Sequence, residues 1–185
     1  MHASVMEFAR TAIEPEDVAG CRVLEVGARN VNGSLRGYVE SLRPAEYVGV
    51  DMISGPGVDR VLPCEQLCAN VGAAAWDLVI CTEMLEHAAD WRACMIQMVR
   101  ALKPGGLLLL TTRSPGFPRH GYPEDHWRFT TVSMGQICEA LHLCASVEDD
   151  PDPAAPGVFV FARKMMPEGR SDFRRLHKID AAAAP

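Results

Sequence analysis

Two carboxylates and a glycine mark the most informative part of the chain. Glu25 and Gly27 lie at the end of a predominantly apolar segment, residues 22–27 (RVLEVG). Asp51 ends the next such segment, residues 47–51 (YVGVD). In an open α/β sheet, successive strands of this kind present their carboxyl ends to one ligand-binding crevice. A glycine there lets the ligand approach the backbone closely, and a terminal aspartate can accept hydrogen bonds from ribose hydroxyls. The pattern therefore predicts a site for a ligand that contains adenosine.

The residues around Gly27 discriminate between two classes of such ligands. A dinucleotide fingerprint needs Gly-x-Gly-x-x-Gly, but Arg29 and Asn32 occupy its second and third glycine positions. Glu25 would repel a pyrophosphate, whereas a carboxylate suits a ligand that carries an ammonium group and a cationic sulfur. The pattern disfavours a nicotinamide cofactor and favours S-adenosylmethionine.

Four sequence pieces, in the expected order, resemble class I S-adenosylmethionine-dependent methyltransferases, and in particular their type 11-like branch of small-molecule enzymes. The pieces are Glu25-x-Gly27, Asp51, residues 76–87 (WDLVICTEMLEH) and residues 102–107 (LKPGGL). The resemblance covers residues 20–131 strongly and the rest weakly. It implies an α/β fold with a Rossmann-like, seven-stranded, mainly parallel sheet, a C-terminal antiparallel hairpin and helices on both faces. One departure is that Ala28, Arg29 and Asn30 follow Gly27 where a glycine-rich turn is usual.

The alternation of apolar and amphipathic segments predicts one domain over residues 1–166. We expect strands at residues 22–26, 47–51, 58–62, 77–81, 107–111, 143–148 and 158–162. We expect helices at residues 4–11, 32–42, 64–71 and 131–141, and one more that Asp90 caps. Candidate caps are Asn32 or Ser34 for the second of these helices and Thr131 or Ser133 for the last. Residues 167–185 read as a partly disordered C-terminal tail.

The resemblance assigns cofactor binding to residues that follow the first four strands. The assigned residues are Glu25, Gly27, Ala28, Arg29, Asn30, Asp51, Met52, Cys64, Glu65, Thr82, Glu83 and His87. Asp51 is expected to hold the ribose. Backbone groups of Cys64 and Glu65 are expected to hold the adenine, because the aspartate that often follows the third strand is absent. For Glu25 and His87 a purely structural role is the alternative.

The loop over residues 114–130 combines aromatic, imidazole and guanidinium groups after the fifth strand. His120 or His126 is suited to remove a proton from an acceptor hydroxyl. Acceptor binding is assigned to Tyr122, Trp127 and Arg128. For Trp127 and Arg128, folding the loop back onto the sheet is the alternative. A metal site made of His120, Asp125 and His126 lacks further ligands, so the sequence predicts no metal.

The composition of the chain limits the kinds of partner that the protein is expected to have. The chain has 185 residues and a formal net charge of −6, which weighs against a duplex nucleic-acid substrate. No apolar run reaches membrane-spanning length, and the N-terminus lacks the apolar core of a signal peptide. Seven scattered cysteines without a Cys-x-x-Cys pair are typical of reduced thiols. We expect a cytoplasmic protein without a membrane partner, and the sequence sets no oligomeric state.

The predicted function is methyl transfer from S-adenosylmethionine to a small-molecule acceptor by in-line displacement. Oxygen, nitrogen and carbon acceptors all remain open. Two alternatives come from other functional classes. One is a catalytically silent S-adenosylmethionine-binding partner of another enzyme, and the less favoured one is a nicotinamide oxidoreductase.

Overall fold

Strands and helices alternate along the chain in the computed structural model, which describes residues 2–121, 124–165 and 176–184. The helices are α1 (Ala3–Ala12), α2 (Pro15–Val18), α3 (Arg36–Ser41), α4 (Leu67–Val71), α5 (Trp91–Ala101) and α6 (Thr131–Ala140). Single 3₁₀ turns cover Cys64–Gln66 and Leu85–His87. The strands are β1 (Arg22–Val26), β2 (Glu46–Asp51), β3 (Arg60–Val61), β4 (Trp76–Thr82), β5 (Leu102–Arg113), β6 (Trp127–Arg128), β7 (Leu143–Asp149), β8 (Gly157–Lys164) and β9 (Ala182–Ala183). Within these ranges, no helix has the length and apolar character needed to cross a bilayer.

Seven strands form the main sheet in the order β3-β2-β1-β4-β5-β8-β7. The pairs β1–β2, β2–β3, β1–β4 and β4–β5 are parallel. β8 runs antiparallel to both β5 and β7, so it is the one reversed strand. This topology confirms the predicted Rossmann-like sheet with its C-terminal antiparallel hairpin.

The sheet is buried on both faces, which explains why its central strands are apolar at successive positions. In β4, Leu78 and Ile80 pack into a cluster with residues of α1, α2 and α3. The intervening Val79 and Cys81 pack into a second cluster with residues of α4, α5 and α6. Neighbouring side chains therefore belong to opposite cores, and the helices that cover them leave the strand ends open for a ligand.

Several element boundaries differ from those expected. α3 begins at Arg36 rather than at residue 32, because the preceding residues form a loop in which Asn30 Oδ1 accepts a hydrogen bond from the Gly33 amide at 2.9 Å. The cap of α6 is Thr130, whose Oγ1 accepts a hydrogen bond from the Ser133 amide at 3.1 Å. β3 is only two residues long, and β5 begins at residue 102, well before residue 107.

The C-terminal segment packs on the domain where the structure describes it. β9 pairs antiparallel with β6, so the chain end lies against the loop that follows β5. Leu176 is fully buried, and Arg92 donates hydrogen bonds to the carbonyl oxygens of Leu176 and Ile179 at 2.9 and 2.6 Å. The boundary at residue 166 and the partial disorder of residues 167–185 stay predictions, since residues 166–175 and 185 lie outside the described ranges.

Candidate active site

A cavity of about 560 Å³ lies at the carboxyl ends of β1, β2 and β4. Because these strands are parallel, the turns that follow them meet at the same edge of the sheet. This is where open α/β sheets bind their ligands, and the volume falls within the range of small-molecule sites. The cavity wall continues into the loop that follows β5.

The turn after β1 is held close to its neighbours. Gly27 has φ +79°, and a Cβ placed on it would lie 2.6 Å from Met84 Cβ. The amides of Gly27 and Ala28 both donate to the carbonyl oxygen of Val50, at 2.9 and 3.0 Å. On the other side, a Cβ on Gly57 would lie 2.5 Å from the carbonyl oxygen of Ala28. Gly57, which is distant in sequence, therefore makes room for a turn that contains few glycines of its own.

Asp51 joins the turns after β1 and β2. Its Oδ2 accepts a hydrogen bond from the Arg29 amide at 3.2 Å, and its Oδ1 accepts one from the Ile53 amide at 2.9 Å. An ionised carboxylate offers about four acceptor positions, so two remain for a ligand in the cavity. The side chain is thus fixed by the backbone and still able to bind a ligand.

Glu25 lies in the inner wall of the cavity and is only 2% exposed. Tyr47 Oη donates a hydrogen bond to its Oε2 at 2.7 Å. Burial raises the pKa of Glu25 to about 7, and the bond from Tyr47 opposes that rise. Burial and the neighbouring carboxylate also raise the pKa of Tyr47, which therefore stays a hydrogen-bond donor. A cationic ligand group beside Glu25 would favour the ionised carboxylate.

A buried arginine that the sequence analysis missed closes the far side of the cavity. Arg113, at the end of β5, is 1% exposed and forms an ion pair with Glu83. Its guanidinium also lies 3.7 Å from Asp150 Oδ2 and 4.2 Å from the ring centroid of Phe117. Thr111 Oγ1 donates to the other oxygen of Glu83 at 2.9 Å. Glu83 is therefore committed to a structural network at the end of β4.

A second ion pair shapes the loop after β5. Arg128 and Asp125 are both buried and form two bonds, of 2.5 and 2.7 Å. Arg128 also donates to the carbonyl oxygens of Phe117 and Pro118. Although burial alone would raise it, the pKa of Asp125 is held well below its usual range by the bonds from Arg128. The pair fixes the path of the loop without lining the cavity.

Most residues assigned to the site from sequence line the cavity. They are Glu25, Gly27, Ala28, Arg29, Asp51, Met52, Cys64, Glu65, Thr82, Glu83, His87, His120 and His126. Asn30 does not line it, since its side chain closes the loop onto Gly33, and Val31 lies on the wall instead.

Two residues assigned to acceptor binding support the loop instead. Trp127 Nε1 donates to the carbonyl oxygen of Ala88 at 2.8 Å, and Arg128 pairs with Asp125. Neither is part of the cavity wall. Their positions agree with the alternative that they fold the loop back onto the sheet. Tyr122 lies outside the described residues.

Three side chains beside the cavity bring nitrogen and oxygen ligand atoms together. Glu86 is fully buried after β4, His87 follows it, and His120 comes from the loop after β5. The ligand atoms of these three residues all lie within 4.8 Å of one another. Glu86 escaped the sequence analysis because its significance depends on a loop more than thirty positions away, at His120.

The sheet order and the cavity at the strand ends define an open, mainly parallel α/β protein with a small-molecule site at its topological switch point. A family profile described as a methyltransferase domain matches residues 3–144. The chain therefore belongs to this methyltransferase-domain family.

Relatives in sequence include ubiquinone biosynthesis O-methyltransferases. The protein of this name from Xanthomonas axonopodis pv. citri (strain 306) is 35% identical over 121 residues, which are 58% of this chain and 48% of the relative. The one from Idiomarina loihiensis (strain ATCC BAA-735 / DSM 15497 / L2-TR) is 32% identical over 106 residues, 50% of this chain and 42% of the relative. The chain thus spans less than half the length of these relatives.

Solved structures share the fold. The 1,6-didemethyltoxoflavin-N1-methyltransferase of Burkholderia thailandensis, which contains bound S-adenosylhomocysteine, superposes with a TM-score of 0.72 at 16% identity, covering 89% of this chain and 79% of that one. An S-adenosylmethionine-dependent methyltransferase from Mesorhizobium loti superposes with a TM-score of 0.68 at 16% identity, covering 87% of this chain and 98% of that one. At such low identity the similarity shows the fold alone.

Proposed function

We propose that this protein transfers a methyl group from S-adenosylmethionine to a small-molecule acceptor. The observation that carries the proposal is that Glu25, Gly27 and Asp51 line the same cavity at the ends of β1 and β2. Membership of the methyltransferase-domain family supports it.

The cavity fits this cofactor better than a dinucleotide. Asp51 keeps acceptor positions for the two ribose hydroxyls, and Glu25 supplies an acidic wall for the positively charged part. Met52, Cys64 and Glu65 line the remaining side, where we place the adenine. When bound, S-adenosylmethionine supplies an electrophilic methyl group on a cationic sulfur. A pyrophosphate at the same turn would meet the carboxylate of Glu25.

The chain contributes positioning, exclusion of water and an acceptor for a proton. Holding two reactants in line inside a closed cavity can lower a barrier by roughly 7–11 kcal/mol. His120 and His126 both line the cavity and are candidates to take a proton from the acceptor. His126 Nε2 lies 3.0 Å from Glu124 Oε2, so the ring has a fixed neighbour at the edge of the cavity.

Calorimetry with S-adenosylhomocysteine, S-adenosylmethionine and NAD tests the proposal. We expect at least micromolar affinity for the first two ligands and no binding of NAD. Tighter binding of NAD would overturn the proposal in favour of an oxidoreductase. A turnover screen with a radiolabelled methyl donor and hydroxyl, amine and carbon acceptors follows. Cofactor binding without transfer to any acceptor class would favour a silent binding partner. The cytoplasmic location remains part of this proposal, and cell fractionation tests it.

A further inference from the structure

One carboxylate oxygen of Glu86 is buried without a hydrogen-bond partner among the described residues. Glu86 Oε2 accepts a hydrogen bond from Thr112 Oγ1 at 2.9 Å, whereas Oε1 has no hydrogen-bond partner among the described residues. The side chain is 0% exposed. A buried carboxylate oxygen left unpaired costs free energy, so its surroundings call for an explanation.

The Nε2 atoms of two histidines lie near this oxygen. His87 Nε2 and His120 Nε2 each lie 3.9 Å from Glu86 Oε1. The rings are edge to face, with centroids 4.8 Å apart. Each distance is too long for a hydrogen bond, and both histidines line the cavity. Three potential ligand atoms thus lie within 4.8 Å of one another at the edge of the cavity.

The second ring nitrogen of His87 fixes where the proton of the neutral ring lies. His87 Nδ1 is 2.5 Å from the carbonyl oxygen of Glu124, and a carbonyl can only accept, so Nδ1 carries the hydrogen. His120 Nδ1 lies 3.1 Å from Asp125 Oδ2, without hydrogen-bond alignment, and that carboxylate is paired with Arg128. In neutral His87 the Nε2 lone pair therefore faces the unpaired oxygen of Glu86, an arrangement that a cation between them would stabilise.

We infer that Glu86, His87 and His120 bind a divalent transition-metal ion, which holds an acceptor oxygen beside the cofactor. Two imidazoles and a carboxylate form a donor set that suits zinc, cobalt, manganese or iron better than magnesium or calcium. The carbonyl oxygen of Glu124 orients the His87 ring from behind, as partners of metal-bound histidines commonly do. With three ligands from the protein, coordination positions stay open for a small molecule in the cavity.

The geometry requires only a small adjustment. Ligand atoms bonded at about 2.0–2.2 Å to one ion lie about 3–3.5 Å apart, so the two 3.9 Å gaps, and a separation of the two imidazoles of up to 4.8 Å, must shrink. His120 is on a loop and its side chain is 38% exposed, which leaves it room to turn. The cluster differs from the one considered in the sequence, because Asp125 is bound to Arg128 and His126 contacts Glu124.

The acceptor role of the ion rests on the proposed methyl transfer, whereas metal binding itself does not. A bound divalent ion lowers the pKa of a coordinated hydroxyl, whose proton then passes to solvent, directly or through His126. The oxygen forms a bond to the methyl carbon as the bond between that carbon and sulfur breaks, and S-adenosylhomocysteine is the leaving group. The acceptor class is therefore a small molecule with a hydroxyl group, methylated on oxygen. His120 then acts as a metal ligand rather than as a base, and His126 remains available for proton transfer.

Metal titration of chelator-treated protein tests the site directly. Calorimetry with Zn²⁺ and visible absorption with Co²⁺ should show one site, with a cobalt spectrum typical of nitrogen and oxygen ligands. Glu86→Gln, which keeps the side-chain size, should weaken binding at least tenfold, and His120→Asn is the second variant in case the first does not fold. The matched control is His126→Ala, which removes a histidine that lines the same cavity but lies outside the cluster. This variant should bind the metal ion with wild-type affinity. Equal affinity of wild type and both cluster variants would overturn the inference.

The same samples separate this inference from the proposed function. Metal-free protein should still bind S-adenosylhomocysteine, and transfer to hydroxylated acceptors should stop on chelation and return with Co²⁺ or Zn²⁺. If S-adenosylhomocysteine binds and metal does not, the metal site is wrong and the proposed function stands. If metal binds and S-adenosylhomocysteine does not, the proposed function and the acceptor role of the ion both fail. Transfer to hydroxyls that persists in metal-free protein would refute the acceptor role alone.

Discussion

The carboxylate of Asp51 accepts a hydrogen bond from the backbone amide of Arg29 at 3.2 Å. One side chain at the end of β2 therefore holds the turn that follows β1. The residue that we expect to bind the ribose also fixes the backbone beside Gly27. Cofactor binding and the shape of the first turn are coupled for this reason.

Replacing Asp51 should weaken cofactor binding. We expect Asp51→Ala to lower the affinity for S-adenosylhomocysteine at least tenfold, since a hydrogen bond to a charged group contributes about 1.5–3 kcal/mol. Calorimetry measures the change. Asp149→Ala, an exposed aspartate on β7, is the control and should leave the affinity unchanged. Wild-type affinity in folded Asp51→Ala would contradict the ribose assignment.

A methyl group at position 27 should damage the site. Gly27→Ala forces φ +79° on a residue with a side chain and places Cβ 2.6 Å from Met84 Cβ. The strained φ costs about 1–2 kcal/mol and the overpacking about 1–3 kcal/mol. We expect lower thermal stability together with weaker S-adenosylhomocysteine binding.

The control for this substitution is Gly37→Ala in α3. A Cβ on Gly37 meets nothing within 4 Å among the described residues, so the substitution should stabilise the helix by roughly 0.5–1 kcal/mol. If the two alanine variants unfold at the same temperature, the close approach at Gly27 does not constrain the turn.

Glu25 should make the free energy of unfolding depend on pH. Its pKa is about 7 in the folded protein and about 4.5 in the unfolded chain, so the folded state binds more protons between these values. The stability associated with Glu25 is complete below pH 4.5 and is lost as the pH rises through 7, by up to about 3 kcal/mol.

Urea titrations at pH 5 and pH 8 measure this effect. Glu25→Gln removes the titration, so its stability relative to wild type should increase from pH 5 to pH 8. A constant difference between the two proteins across this range would mean that burial does not raise the pKa of Glu25.

Breaking the buried pair in the loop after β5 should be costly. Arg128→Met leaves Asp125 buried without its partner, and losing one member of a buried pair costs about 3–5 kcal/mol. Denaturant unfolding gives the value. Arg119→Met, an exposed arginine of the same loop, should change stability by less than about 0.5 kcal/mol. Equal effects of the two substitutions would show that the pair does not hold the loop.

The C-terminal segment should contribute to stability. Leu176 is fully buried, so Leu176→Ala should cost about 2–5 kcal/mol. Val132→Ala, at a side chain that is 69% exposed, serves as the control and should have little effect. A neutral Leu176→Ala in thermal unfolding would indicate that the domain is complete without this segment.

The fold could be predicted from sequence because its signals are local. β4 is apolar at four successive positions, residues 78–81, which indicates a strand covered on both faces. Gly27 directly follows β1, and Asp51 ends β2. The predicted start of α3 was wrong because Asn32 and Ser34 resemble helix caps, whereas the loop before Arg36 is closed by the hydrogen bond from the Gly33 amide to Asn30 Oδ1.

The sequence by itself determined the sheet, the family resemblance and the three residues Glu25, Gly27 and Asp51, since each depends on a short stretch beside a strand end. Only the tertiary structure brought Glu86 and His87 to His120, and Arg113 to Glu83. These pairs are set by the register of β4 against β5 and by the path of the loop that follows. Side chains far apart in sequence meet only when the whole chain has packed, so no local pattern encodes their distances.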